Sequence, residues 1–217
     1  GGYRGELVAR LLLLNAWDCC INKKHQDDKN KNLDNTNVSQ NYFRFMTIEE
    51  FLKSLLADNV YEKIRDRLEE EVQFIGRKFG EAYIKFTHFI NITYTPNRKD
   101  LKDALIRGIA YSCKQNQQGA DIIIPLYIGT LDEKINEDHI SYILIQVKNQ
   151  SIDHKGYKYL ESATTCLSPA YIGIEDISYM PFLSLYMQLG AKSELVDVPS
   201  MPTKTRNTTS CKCKIAE

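Results

Sequence analysis

Three polar residues stand at the ends of two apolar, β-branched segments in the middle of the chain. Asp121 opens the segment 121–128, whereas Gln146 and Lys148 close the segment 141–148. Side chains two positions apart on a strand share a face, so Gln146 and Lys148 should point the same way. Carboxylate and amide oxygens suit Mg²⁺ or Mn²⁺, and a lysine ammonium can orient attacking water or neutralise charge on a phosphate. These residue types point to metal-dependent hydrolysis of a phosphodiester.

The pairing of the two segments decides whether the three side chains can meet. Both segments are rich in residues that favour strands, and the polar stretch 130–139 separates them. We predict an antiparallel pair joined by a long loop. The start of the first strand then lies beside the end of the second, which places Asp121 near Gln146 and Lys148.

The sequence of this hairpin resembles a known group of nucleases. Gly119-Ala-Asp-Ile-Ile-Ile-Pro followed by Ile143-Leu-Ile-Gln-Val-Lys is similar to the D…(D/E/Q)xK signature of the PD-(D/E)xK superfamily, and the Gln variant resembles Mrr-type restriction endonucleases. The resemblance implies an α/β fold with a restriction endonuclease-like core, in which helices flank a central mixed β-sheet. It also implies that Asp121 and Gln146 are metal ligands and that Lys148 assists the attack.

The superfamily places a further Glu on a helix that precedes the sheet. Glu6, within Tyr3-Arg-Gly-Glu-Leu, is the candidate, either as a third metal ligand or as the base that orients water. The chain departs from the usual pattern because Gln146 stands where a second acid is common, and an uncharged ligand weakens metal affinity. The alternative function is therefore a catalytically inactive, nuclease-derived module that binds nucleic acid or a protein partner.

Four segments extend the resemblance to fungal Crinkler-type and transposon-associated proteins that carry such a nuclease-like module. They are Gly2-Tyr-Arg-Gly-Glu-Leu-Val-Ala-Arg-Leu, His88-Phe-Ile, Arg107-Gly-Ile-Ala and the hairpin itself. The resemblance implies a longer polypeptide that often has a P-loop ATPase region, although this sequence contains no G-x-x-x-x-G-K-S/T. It leaves three biological roles open: a host-directed fungal effector, a mobile-element function and an internal conflict system. The start at Gly1-Gly2 also favours a segment of a longer chain. DNA is the expected nucleic acid, and a homodimer remains open.

The same residues also have purely structural interpretations. An Asp at the start of a strand caps turns, and Gln or Lys at a sheet edge guards against aggregation. Glu6 lies one helical turn before Arg10, which is the spacing of an ordinary surface ion pair. His88 shares a strand face with apolar residues and is interpreted as a core or rim histidine.

The remaining pattern predicts one domain over residues 1–195, and the resemblance implies that this domain is nuclease-like. Apolar residues at helical spacing predict helices at 3–17, 60–74, 99–113 and 180–189. A capping box at Thr47 and Glu50 predicts another helix directly after it. Alternating or β-branched residues predict strands at 82–94, 121–128, 141–148 and 171–174. A mobile polar loop is expected at 22–40 and a disordered tail at 196–217.

Composition narrows the class of protein. The 28 Lys and Arg residues balance the 28 Asp and Glu residues, so attraction to nucleic acid must come from a local patch. No apolar stretch approaches the ~20 residues that a membrane span needs, and no signal peptide is visible, so we expect an intracellular protein, nuclear or cytoplasmic, without a membrane partner. The six cysteines include no paired C-x-x-C motifs and suggest neither a zinc site nor a disulfide framework.

Overall fold

A computed structural model describes the chain in seven segments: residues 2–30, 44–73, 75–114, 119–149, 167–174, 180–189 and 212–215. Within them, helices flank a mixed β-sheet, as the sequence predicts. None of the helices in these segments is long and apolar enough to cross a membrane.

Helix α1, Gly2–Asn30, buries one side along most of its length. Its buried residues include Ala9, Leu13, Ala16 and Trp17, which recur at helical spacing. The helix continues to Asn30, so the predicted mobile loop is wrong for residues 22–30. Propagating an existing helix costs less than starting one, which lets this polar segment extend α1. Residues 31–40 of the predicted loop lie outside the described segments.

Two short helices pack beside α1. Helix α2, Ile48–Leu55, begins at the predicted capping box: Thr47 accepts a hydrogen bond from the Glu50 backbone N–H at 3.2 Å, and Glu50 Oε2 accepts one from the Thr47 N–H at 2.9 Å. Helix α3, Asp58–Leu68, ends before the predicted boundary at residue 74. A small hairpin, β2 Glu71–Val72 with β3 Arg77–Lys78, takes up the chain there, with Gly76 at a φ of 69°.

The main sheet has eight strands in the described segments. They are β1 Met46–Thr47, β4 Tyr83–Ile84, β5 His88–Asn91, β6 Ile109–Ser112, β7 Ile122–Tyr127, β8 Ile140–Asn149, β9 Leu183–Leu189 and β10 Lys212–Ile215. The order is β1-β4-β7-β8-β9-β10. Strand β4 pairs with the second half of β7, and β6 pairs with the first half along the same edge. Strand β5 pairs in turn with β6. Pro125 lacks an N–H and falls between the β6 and β4 pairings, where that edge of β7 has no partner strand.

The predicted central hairpin is confirmed. Strands β7 and β8 are antiparallel, with Ile122 opposite Ile145 and Tyr127 opposite Ile140. Strand β8 then pairs in parallel with β9. Every residue of β7 is buried, as expected of a strand covered on both faces.

Two predicted elements before the hairpin are divided differently. The single strand predicted at 82–94 is broken into β4 and β5. The helix predicted at 99–113 is α4, Arg98–Arg107, which stops at Gly108 in the left-handed conformation (φ 71°). Strand β6 follows directly, so the second half of that prediction is wrong. Glycine readily adopts this conformation, which ends the helix.

Two predictions after the hairpin are wrong in type. The strand predicted at 171–174 is the short helix α5, Pro169–Ile172. The helix predicted at 180–189 is β9, and Gly190, taken as its cap, lies outside the described segments. Its apolar and polar residues alternate, with Ser184, Tyr186 and Gln188 between Leu and Met residues, so the period of two was present in the sequence. Strand β10 lies within the tail predicted to be disordered and pairs with β9.

Candidate metal and phosphate site

Asp121 lies immediately before β7, where three hydrogen bonds hold it. Its backbone N–H donates to Ile145 O at 2.8 Å, and its backbone O accepts from the Cys113 N–H at 2.8 Å. Its carboxylate Oδ2 accepts from the Val147 N–H at 2.6 Å. The carboxylate is therefore anchored between the ends of the two central strands, at the place predicted from the hairpin.

The surroundings of Asp121 oppose its negative charge. Burial is the main cause that raises its pKa from an ordinary 3.8 to about 6. The charge of Glu6 raises the pKa further, whereas the Val147 hydrogen bond and the charge of Lys148 lower it. Glu6 and Lys148 thus both lie within electrostatic reach of Asp121.

The first turn of α1 brings Glu6 to this place. A Cβ on Gly5 would lie 2.8 Å from Asn149 Cβ and 3.6 Å from Val147 Cγ1, so only glycine allows the helix this close to the end of β8. Glu6 follows directly in sequence. The Arg10 side chain donates to the backbone O of Glu6 at 3.3 Å and does not form the ion pair with its carboxylate that the helical spacing allows.

Gln146 and Lys148 lie on the same face of β8. The register ends with Ile122 opposite Ile145, and the Asp121 carboxylate binds the Val147 N–H, so Gln146 lies beside Asp121 in the hairpin. Gln146 is 9% exposed, and its Oε1 atom has no hydrogen-bond partner among the described residues. Lys148 is half-buried. Within the same residues no ion pair joins Lys148 to Asp121 or Glu6, so their coupling is electrostatic and not a direct contact.

The candidate residues approach Asp121 from two sides of β8. The side chains of Val147 and Asn149, which contact Gly5, alternate along the strand with Gln146 and Lys148. Glu6 therefore comes from the α1 side, and Gln146 and Lys148 project to the opposite side. Asp121 lies between them because its carboxylate binds the backbone N–H of Val147.

Sequence reasoning missed Gln188 on β9. The parallel register pairs Lys148 with Gln188 and Gln146 with Tyr186, so these side chains share a face. Gln188 is 4% exposed, and its Nε2 atom has no partner among the residues described. The alternation along 183–189 was the signal that could have found it, but the segment was interpreted as a helix.

Cys113 directly follows β6 and lies beside Asp121, but we assign it no role in metal binding or hydrolysis. Its backbone bonds to Asp121, and burial, together with the charges of Asp121 and Glu6, raises its thiol pKa to about 12. A thiol with that pKa stays protonated at neutral pH and is a poor nucleophile. His88 is exposed on β5 and lies outside the site, so of the two interpretations, core or rim histidine, the core one is wrong.

The donor set suits a hard divalent cation. No group of three or more His, Cys, Asp or Glu side chains with metal-binding geometry occurs in the described segments, so a cation here would take further ligands from amide or water oxygens. The Gln146 Oε1 atom is buried without a partner and can serve as that ligand. Carboxylate and amide oxygens are the ligands that Mg²⁺ and Mn²⁺ accept.

The fold and these side chains define a mixed α/β domain with a polar site at the ends of its two central strands. The chain belongs to the family described as a domain of unknown function, DUF8736, which matches residues 1–216. Comparison with curated proteins and with solved structures gave no significant match.

Proposed function

We propose that this domain is a metal-dependent nuclease with a restriction endonuclease-like core that hydrolyses phosphodiester bonds, with DNA as the expected substrate. Asp121 and Gln146 Oε1 are the ligands for Mg²⁺ or Mn²⁺, and Glu6 is either a further ligand or the base that orients the attacking water. Lys148 acts on the phosphate or on the attacking water.

The observation that carries the proposal is the coupling of Asp121 to Glu6 in a buried place. The charge of Glu6 disfavours the charged form of Asp121, and burial of Asp121 disfavours it further. A divalent cation between them would remove this electrostatic cost, whereas Lys148 offsets only part of it. Acids whose pKa is raised by burial and by a second acid are typical of functional sites.

Each residue of the site can take a separate role in phosphodiester hydrolysis. When bound, the metal supplies positive charge for the transition state and lowers the pKa of bound water. Val147 N–H keeps the Asp121 carboxylate in one orientation. Lys148 can hold a nonbridging phosphate oxygen, and Glu6 can accept the proton as the water oxygen bonds to phosphorus and the bond to the leaving oxygen breaks.

The alternative is a nuclease-derived module that binds nucleic acid or a protein partner without cutting. The uncharged Gln146 in place of a second strand acid favours this alternative, because it lowers the charge available to hold a metal.

The test is cleavage of plasmid and single-stranded DNA in Mg²⁺ or Mn²⁺ by the wild type, Asp121→Asn and Lys148→Gln. Asparagine keeps an oxygen for the Val147 N–H and removes the charge. We expect wild-type cleavage to need the metal and to fall roughly a hundredfold or more in each variant. Matched controls are Asp132→Asn and Lys134→Gln, both exposed in the loop between β7 and β8.

Two results would refute the nuclease proposal. One is a wild type that cuts neither substrate with either metal. The other is cutting that the Asp121 and Lys148 variants retain at the level of the loop controls, which would assign the activity to a contaminant or to another site.

A further inference from the structure

Two amide side chains on the central strands bury polar atoms that have no hydrogen-bond partner among the described residues. They are the acceptor Gln146 Oε1 and the donor Gln188 Nε2. Most buried polar groups in folded proteins are paired, because an unpaired one costs stability. Two such atoms on adjacent strands therefore point to a ligand that the polypeptide itself does not supply.

The register shows what kind of ligand each atom suits. Gln188 is the parallel partner of Lys148, and Gln146 lies two residues before Lys148 on the same face. An unpaired acceptor next to Asp121 suits a cation. An unpaired N–H donor next to a lysine ammonium suits an anion with several acceptor oxygens, and a phosphate group has this chemistry.

We infer that Gln188 and Lys148 form a phosphate-binding subsite, in which the Gln188 amide and the Lys148 ammonium donate hydrogen bonds to nonbridging oxygens of a nucleic-acid phosphate. The identity of the phosphate as part of a nucleic acid rests on the proposed function. Gln188 Nε2 is closed off from water. Phosphate binding therefore requires the amide to rotate towards the partly exposed Lys148.

With this subsite, three neighbouring strands each supply a different type of binding group. Asp121, immediately before β7, contributes the carboxylate for the cation. Strand β8 contributes the Gln146 amide oxygen and the Lys148 ammonium, and β9 contributes the neutral N–H donor of Gln188. A neutral donor holds the phosphate without competing with the metal for the carboxylates, because an amide N–H carries no full charge.

The test replaces Gln188 by leucine, which has a similar size and no donor. Binding of a short fluorescein-labelled DNA is measured with EDTA and with Mg²⁺, in competition with inorganic phosphate. We expect Gln188→Leu to weaken DNA binding roughly ten- to hundredfold, the usual effect of losing a hydrogen bond to a charged group. The melting temperature should stay the same or rise, since an apolar group replaces an unsatisfied donor.

The control is Gln73→Leu, which makes the same change at an exposed turn outside the main sheet and should bind DNA as the wild type does. If Gln188→Leu does not fold, the measurement is made on Gln188→Met, whose unbranched side chain has the same length. Unchanged DNA affinity in the folded variant overturns the inference.

The outcomes separate this inference from the proposed nuclease activity. If the wild type cuts nothing but Gln188→Leu still binds DNA more weakly than Gln73→Leu, the subsite stands and the nuclease proposal falls. If the wild type cuts DNA and Gln188→Leu cuts and binds equally well, only the subsite is refuted.

Discussion

Asp121 sits where its charged form is unfavourable. Burial and the neighbouring Glu6 raise its pKa to about 6, although the Val147 N–H stabilises the carboxylate. A residue selected only for stability would be uncharged here. An acid that persists under these conditions fits a role in which a cation compensates the charge.

The raised pKa predicts how stability depends on pH. Between pH 3.8 and about 6 the folded protein binds a proton at Asp121 that the unfolded chain has released, so the stability contributed by Asp121 falls as pH rises through this window. Above about pH 6 the full cost is present. We expect Asp121→Asn to raise the free energy of unfolding by about 1–3 kcal/mol at pH 7.5 and by little at pH 4. Urea denaturation without divalent metal at both pH values measures this.

The matched control for that measurement is Asp132→Asn, whose carboxyl is exposed. It should change stability little at either pH. Equal urea midpoints for wild type and Asp121→Asn at pH 7.5 would show that the buried charge costs nothing, and would remove the main argument for a bound cation.

At the scale of elements, the contact between α1 and the end of β8 places Glu6. The helix can approach because Gly5 has no side chain, and Asn149 and Val147 fill the space that a Cβ would need. Glycine normally weakens a helix relative to alanine, so its presence within α1 is explained by this packing and not by helix propensity.

Gly5→Ala should therefore destabilise the protein, although alanine is the better helix former. A Cβ 2.8 Å from Asn149 Cβ forces the first turn of α1 away from β8. We expect a loss of about 1–3 kcal/mol from overpacking, together with reduced cleavage activity because Glu6 moves. Asn15→Ala at an exposed position of the same helix should stabilise slightly, and a Gly5→Ala variant that does the same would contradict the proposed packing.

The capping box of α2 offers a second test at this scale. Thr47 Oγ1 and the Glu50 carboxylate each satisfy a backbone N–H at the start of the helix. Thr47→Ala removes one of these bonds and should cost about 1 kcal/mol, measured as a lower urea midpoint. Thr93→Ala, at an exposed position outside the helices, should have almost no effect.

At the scale of the whole molecule, the sheet gathers residues that are far apart in sequence. Strand β8 pairs with β7 on one edge and β9 on the other, so residues 121, 146, 148 and 188 meet at one end of the sheet. Helix α1 adds Glu6 from the start of the chain. A ligand at this place binds only the folded protein and should stabilise all of it.

Mg²⁺ or Mn²⁺ should accordingly raise the melting temperature of the wild type. A metal present at a hundred times its dissociation constant stabilises the folded state by about 2.7 kcal/mol. Asp121→Asn should show a much smaller increase, and Asp132→Asn should respond as the wild type does. An equal response of all three proteins to the metal would place the cation elsewhere.

The features that depend only on neighbouring residues can be predicted from the amino-acid sequence. Asp121, Gln146 and Lys148 were found from spacing on two β-branched segments, and their antiparallel pairing followed from the intervening polar loop. The start of α2 was likewise predicted from Thr47 and Glu50 alone. A strand period or a helix cap involves only a few consecutive residues, so local physics decides it.

Long-range packing was needed to place Glu6 on one side of β8 and Gln146 and Lys148 on the other. It was also needed to bring Gln188 beside Lys148. Residues 183–189 could form a helix or a strand as an isolated peptide, and burial between β8 and β10 selects the strand. The raised pKa of Asp121 also depends on α1, which is more than a hundred residues away in sequence. Long-range packing sets burial, charge proximity and strand register, because these depend on which distant segments meet and not on the composition of any one of them.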